Sequence, residues 1–337
     1  MNSIQSKNNT PNYHMSTMNI DLHCDLLYYL LDPNATIDDL EIGCSLPYLK
    51  EGQVKLQIMA IYAGTGAEST RYGLKQSQLF SELIKNDNFF LFNKDNYQSS
   101  EHKNQVGILA AIENASAFCD ENESLDSGFK KLENIIQNTQ HVLYLGITHH
   151  SENRFGGGNH AEVGLKEDGK VLIDYISDKK MAIDLAHTSD QLAYDIFTYI
   201  DQKNYAVPIV ASHSNYRTVY KNNRNLPDEL AQEVIKRNGL IGLNFIKDYV
   251  DADHPEKLYE HIQYGLELGA ENNIAYGADY FYWKNHPDLS RHPFFFPEHA
   301  NASVYPAVNK EIEERFSPEL EEKISHKNAL RFIESVL

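Results

Sequence analysis

The sequence predicts an α/β protein built as one (β/α)8 TIM-type barrel with the architecture of a metal-dependent hydrolase. Two observations predict it. Eight short apolar runs alternate with mostly helix-compatible stretches along 337 residues, the order a closed parallel sheet requires. Histidines and carboxylates recur at the trailing ends of five of those runs, the rim where such barrels collect their chemistry.

The runs are 19–25 (NIDLHCD), 54–63 (VKLQIMAIYA), 106–113 (VGILAAIE), 142–148 (VLYLGIT), 181–187 (MAIDLAH), 207–213 (VPIVASH), 239–245 (GLIGLNF) and 274–279 (IAYGAD). Their near-continuous apolar character suits strands covered on both faces. Candidate helices fall at 74–86, 126–140, 168–179, 189–203, 227–237 and 256–270. The stretch 149–165, with its glycine triplet, and the aromatic and proline-dense stretch 280–300 read as added loops. Residues 307–337 read as helical and are expected to close one end of the barrel. Residues 1–18 are polar and are expected to form a mobile tail, leaving 19–337 as a single catalytic domain.

The charge balance narrows the function classes. With 48 acidic against 30 basic residues the net charge is -18, which argues against nucleic acid or an anionic membrane as partner. The three cysteines, Cys24, Cys44 and Cys119, form no CxxC pair, so a reducing compartment is expected. No apolar stretch approaches the length of a membrane span, and the first residues lack a signal-like apolar core. The expected location is the cytoplasm.

His23 and Asp25 end the first run, Glu113 the third, His187 the fifth, His213 the sixth and Asp279 the eighth. Taken singly, a histidine ending an apolar strand is more often a hydrogen-bonded core residue. Six metal-competent side chains on one rim would be expensive to bury without a shared purpose. His23, Asp25, Glu113, His187 and His213 are therefore the expected metal ligands. Imidazoles mixed with carboxylates suit zinc, with manganese, iron or cobalt as other divalent occupants. Glu113 is the natural bridge between two ions, because the remaining ligands divide into His23 with Asp25 and His187 with His213.

The motifs DLHCDLL (21–27), AIEN (111–114), GITHHSEN (146–153), AIDLAHTS (182–189), IVASHSNYRTVYKNNRNLPDE (209–229), IGLNF (241–245), YGADY (276–280) and KNALRF (327–332) occur in this order. In them the chain resembles the membrane (renal-type) dipeptidases, peptidase family M19, within the amidohydrolase-like barrels. The resemblance implies two zinc ions bridged by Glu113 and a hydroxide shared between them. It implies that His149 polarises the scissile carbonyl and that Arg224 grips the substrate's free carboxylate, a task suited to a planar guanidinium. Asp279 would carry the proton from the attacking water to the leaving amine. The implied substrate is a dipeptide, with D-residues tolerated at its C-terminal position, and the implied assembly is a homodimer.

The chain departs from the family pattern in the pocket walls. Phe281 stands where a second acid is common, Cys24 where Asn is usual, Asn114 where Gly is common, and Ile246 where Tyr is frequent. Arg154, Phe155 and the glycine triplet replace the usual Trp-Ala-Asp loop. Two rival readings follow from these changes: an amidohydrolase acting on N-acyl amino acids or lactones, and an inactive metal-binding barrel.

Overall fold

The structure, a computed structural model, describes residues 18–97 and 99–337. The tail expected at residues 1–18 lies, apart from Met18, outside the described residues. Nine parallel strands form one sheet: β1 (Asn19–Cys24), β2 (Val54–Tyr62), β3 (Phe89–Leu91), β4 (Val106–Glu113), β5 (Val142–Gly146), β6 (Ala182–Asp184), β7 (Ile209–Ala211), β8 (Leu240–Leu243) and β9 (Ile274–Tyr276). Eight of them close in the order β1-β2-β4-β5-β6-β7-β8-β9, with β9 pairing back onto β1. This is the closed parallel barrel expected from the alternating runs. The short β3 pairs with the foot of β4, from Phe89 opposite Val106 to Leu91 opposite Ile108, ahead of the point where β5 joins at Ala110.

Side-chain alternation fills the lumen. Ile20, Leu22, Leu56, Ile58, Leu109, Ala111, Leu143, Val210 and Leu240 pack there with Phe332, Ile333 and Val336 of the helix Asn328–Val336. That helix closes the N-terminal end of the barrel, as expected for the last segment. Burying each large aliphatic contributes about 1.5–3 kcal/mol. The opposite faces of the strands pack under the surrounding helices, among them Ser69–Leu83, Leu125–Thr139 and Asp190–Lys203. Ser124 and Ser189 cap the last two by accepting from the amides of Ser127 and Leu192. No helix of the described residues is long and apolar enough to cross a membrane.

One irregularity in β1 matters for the site. Asp21 pairs with Gln57 and Cys24 with Met59, so β1 spends one more residue than β2 over the same interval. Strict alternation from Ile20 and Leu22 would turn His23 out of the lumen. The bulge returns it inward and sends Cys24 into the core beneath the helices.

Candidate metal centre

Each expected residue sits on the rim reached by the C-terminal ends of the strands. Glu113 is the last residue of β4, and Asn114 behind it takes φ +77°, a left-handed value that Asn tolerates and that explains why glycine is common there. Asn114 is held by Nδ2 donating to the Ala63 carbonyl at 2.8 Å. His187 and His213 do not end strands. They lie in the turns that follow β6 and β7, three and two residues beyond them. The turn carrying His213 presses the Ser212 backbone so close to Gly277 that a Cβ there would lie 1.9 Å from the Ser212 oxygen. Asp279 stands three residues past β9 at φ +65°, a strained setting often found at functional positions.

Glu113 is the hub. Its Oε1 lies 2.7 Å from His187 Nε2, 3.6 Å from His213 Nε2 and 3.8 Å from His149 Nε2, while Oε2 faces His23 Nε2 at 3.5 Å. The His23 and His213 rings stack with centroids 3.8 Å apart. The imidazoles thus form one continuous cluster rather than two separated pairs. Asp279 reaches His23 through Oδ1 (3.9 Å) and His213 through Oδ2 (4.0 Å). Three sets of ligand atoms fall within 4.8 Å of one another: His23 with Glu113 and His213, His23 with Asp25 and Asp279, and His149 with His150 and His187.

The proton on each imidazole can be placed from its neighbours. The Tyr144 hydroxyl donates to the Leu22 carbonyl at 2.7 Å and therefore accepts from His23 Nδ1–H at 2.8 Å. Ser212 Oγ donates to Asp184 Oδ2 at 2.5 Å and accepts from His213 Nδ1–H at 2.7 Å. Asn159 Oδ1 stands 3.4 Å from His187 Nδ1. All three rings are held as Nδ1–H tautomers, with the lone pairs on Nε2 turned toward Glu113.

A cation fits this arrangement. His187 Nε2 and His213 Nε2 face each other at 3.0 Å, lone pair to lone pair. Among the described residues, the buried His23 Nε2 and Asp25 Oδ1 have no hydrogen-bond partner, a costly state for atoms that lack a ligand. Burial pushes the carboxyls up: Asp25 well above the usual range, helped by the nearby Glu113 charge, Glu113 to about 8 and Asp279 to about 6. Burial likewise holds His187 and His213 well below the ordinary imidazole value, keeping them neutral. Neutral imidazoles and crowded, buried carboxylates are the donor set of a divalent transition metal.

Around the cluster opens a cavity of about 800 Å³ lined by Asp25, Glu113, His149, His187 and Asp279. Asp279 Oδ2 accepts from Asn244 Nδ2 at 2.8 Å, which leaves Oδ1 uncommitted. Arg224 is almost fully buried. Its Nη2 contacts the His213 carbonyl (3.0 Å) and His187 Nε2 (3.2 Å), its Nη1 contacts Ser214 Oγ (3.3 Å), and its Nε has no partner among the described residues. Phe281 lines the cavity in place of an acid and packs against Phe294, with centroids 5.0 Å apart. Sequence reasoning missed Tyr144, Asp184, Ser212 and Asn159. The signal for two of them was present, a polar side chain set inside the apolar runs VLYLG and AIDLAH.

Residues 11–337 match the family described as Membrane dipeptidase (Peptidase family M19). The chain belongs to the membrane dipeptidase family. Among solved structures, a metallo peptidase from Rhodobacter sphaeroides, liganded with a phosphinate mimic of the dipeptide L-Ala-D-Ala, superimposes with a TM-score of 0.78 at 19% identity, over 95% of this chain and 99% of that one. Dipeptidase verJ of Clonostachys rogersoniana is 27% identical over 146 residues, 41% of this chain and 36% of its own length. An uncharacterized protein in the pqqA 5' region of Klebsiella pneumoniae is 26% identical over 190 residues, 52% of this chain and 65% of its own. The matched stretch therefore spans less than two thirds of each of these curated relatives. The M19 match, by contrast, covers every rim residue discussed above.

Proposed function

We propose that this chain is a metal-dependent dipeptidase, with two divalent ions, zinc by preference, held by His23, Asp25, Glu113, His187 and His213. The observation that carries the reading is the convergence of three Nδ1–H imidazoles on Glu113, whose two oxygens face different histidines. Bound there, divalent ions would supply Lewis-acid polarisation of a carbonyl and of a water.

The chain's own residues supply the rest. Arg224, buried and charged, pairs with the free carboxylate of the dipeptide and fixes its register. His149, on the cavity wall 3.8 Å from Glu113, steadies the oxygen of the scissile carbonyl as charge develops there. Asp279 takes the attacking water's proton on Oδ1, the oxygen that Asn244 leaves free, and delivers it to the departing amine nitrogen. A D-residue at the C-terminal position fits the same reading, since the carboxylate anchor rather than the second side chain sets the register.

The test is metal analysis of the purified protein combined with a panel of L-X-L and L-X-D dipeptides, with and without chelator. The expected result is about two ions per chain and cleavage that chelation abolishes and metal restores. Bound metal without cleavage of any dipeptide would leave the centre and remove the substrate. Failure to bind metal even after reconstitution would overturn the reading.

A further inference from the structure

We propose that this enzyme prefers dipeptides whose N-terminal residue is aromatic, selected by a wall of Tyr62, Tyr28 and Tyr72. The proposal rests on the dipeptidase reading and deepens it. The three tyrosines come from separate elements: Tyr62 ends β2, Tyr28 lies on the short helix Leu26–Tyr29 directly after Asp25, and Tyr72 lies on the helix Ser69–Leu83. All three line the cavity. They form an unbroken aromatic series that starts at His149. The Tyr62 ring meets His149 edge-on at 4.9 Å, Tyr28 meets Tyr62 edge-on at 5.2 Å, and Tyr72 tilts against Tyr28 at 6.4 Å.

Position decides which substrate residue meets this wall. The His149 ring meets Tyr62 at 4.9 Å, His150 at 4.0 Å and His187 at 4.2 Å, and His187 Nε2 touches Arg224 at 3.2 Å. Arg224 holds the C-terminal carboxylate in the reading above, so the C-terminal residue lies toward His187. The scissile carbonyl at His149 belongs to the N-terminal residue, whose side chain, directed away from His187, is placed toward Tyr62 and the tyrosines beyond it. Size and chemistry agree. A small dipeptide would leave most of an 800 Å³ cavity unfilled. Tyr28 and Tyr72 are 44% and 36% exposed and line the cavity, so their ring faces are open to a planar side chain.

The experiment compares kcat/KM of the metal-loaded enzyme for dipeptides sharing a C-terminal alanine and carrying Phe, Tyr, Leu or Ala first. The expected Phe-to-Ala ratio is about tenfold, carried mainly by KM. Tyr72→Ala brings the ratio toward one, and Tyr72→Phe restores it, since the ring and not the hydroxyl makes the contact. A flat series, or a ratio unchanged by Tyr72→Ala, overturns the proposal. Should no dipeptide be cleaved, the dipeptidase reading falls by itself. Binding of phosphinate dipeptide mimics with Phe or Ala in the first position to the metal-loaded protein then decides the wall: equal affinities overturn it.

Discussion

Tyr144 and His23 are joined by a 2.8 Å hydrogen bond that leaves the imidazole one way to carry its proton. The tyrosine hydroxyl has already given its hydrogen to the Leu22 carbonyl, so it can only accept. A residue from β5 thereby fixes the chemistry of a residue from β1, and Nε2 of His23 is kept free for an ion.

Removing that acceptor has a measurable consequence. Tyr144→Phe keeps the ring in the lumen and deletes the hydroxyl, so His23 is no longer held to one tautomer or one orientation. Metal affinity is expected to fall by about 10- to 100-fold, as for other partners that orient a ligand. Competition against a chelator of known affinity measures it, and thermal unfolding of the metal-free variant separates this from a general loss of stability. An unchanged affinity would mean that the hydroxyl serves only the lumen.

Arg224 offers a test of substrate polarity. If it reads the free carboxylate, Arg224→Gln should raise KM for a dipeptide by roughly 10- to 150-fold, the equivalent of about 1.5–3 kcal/mol for a charged hydrogen bond. The same dipeptide with a C-terminal amide should show little of that loss. Equal losses on acid and amide would place Arg224 in the architecture of the His213 turn instead, where its contacts to Ser214 and the His213 carbonyl already put it.

Acid should unfold the protein through a histidine that is not among the expected metal ligands. His261 is fully buried, accepts from the Tyr216 amide at Nδ1 (3.2 Å) and donates from Nε2 to the Val250 carbonyl (3.0 Å). Burial pushes its pKa down to about 4, below the ordinary 6.5 of the unfolded chain. The folded state therefore excludes a proton that the unfolded state accepts. The stability this gives is present above pH 6.5 and is lost as pH falls from 6.5 toward 4, up to roughly 3 kcal/mol. His261→Gln can keep both hydrogen bonds without titrating, so its acid unfolding midpoint should move to lower pH. A midpoint unmoved would assign acid lability to other groups.

Much of the fold could be read before any coordinates because burial on both faces writes itself into composition. Runs such as ILAAI before Glu113 leave little room for another assignment, and the helices appear within a few residues of their expected bounds, 125–139 for 126–140 and 190–203 for 189–203. What escaped was short or out of phase. Phe89–Leu91 is a three-residue strand outside the closed eight-stranded ring, paired with the foot of β4, so it lies outside the alternation that reveals the barrel. The last residues of several runs peel into turns, so that His187 and His213 stand beyond their strands rather than on them. The β1 bulge depends on pairing with β2, which a single strand's sequence does not record. The residues tying Nδ1 of His23 and His187 are likewise distant in sequence; Tyr144 is 121 positions from His23, and Asn159 is 28 from His187.

The helix Asn328–Val336, wedged across the foot of the lumen with Phe332 and Ile333, gives the barrel a floor. Traffic is shaped by that floor. In the dipeptidase reading, substrate would enter and both amino acids would leave by the mouth of the cavity, past the tyrosines and Phe281. On that reading, a residue that binds the wall well would also be slow to clear it, and selectivity and release would be two faces of one contact.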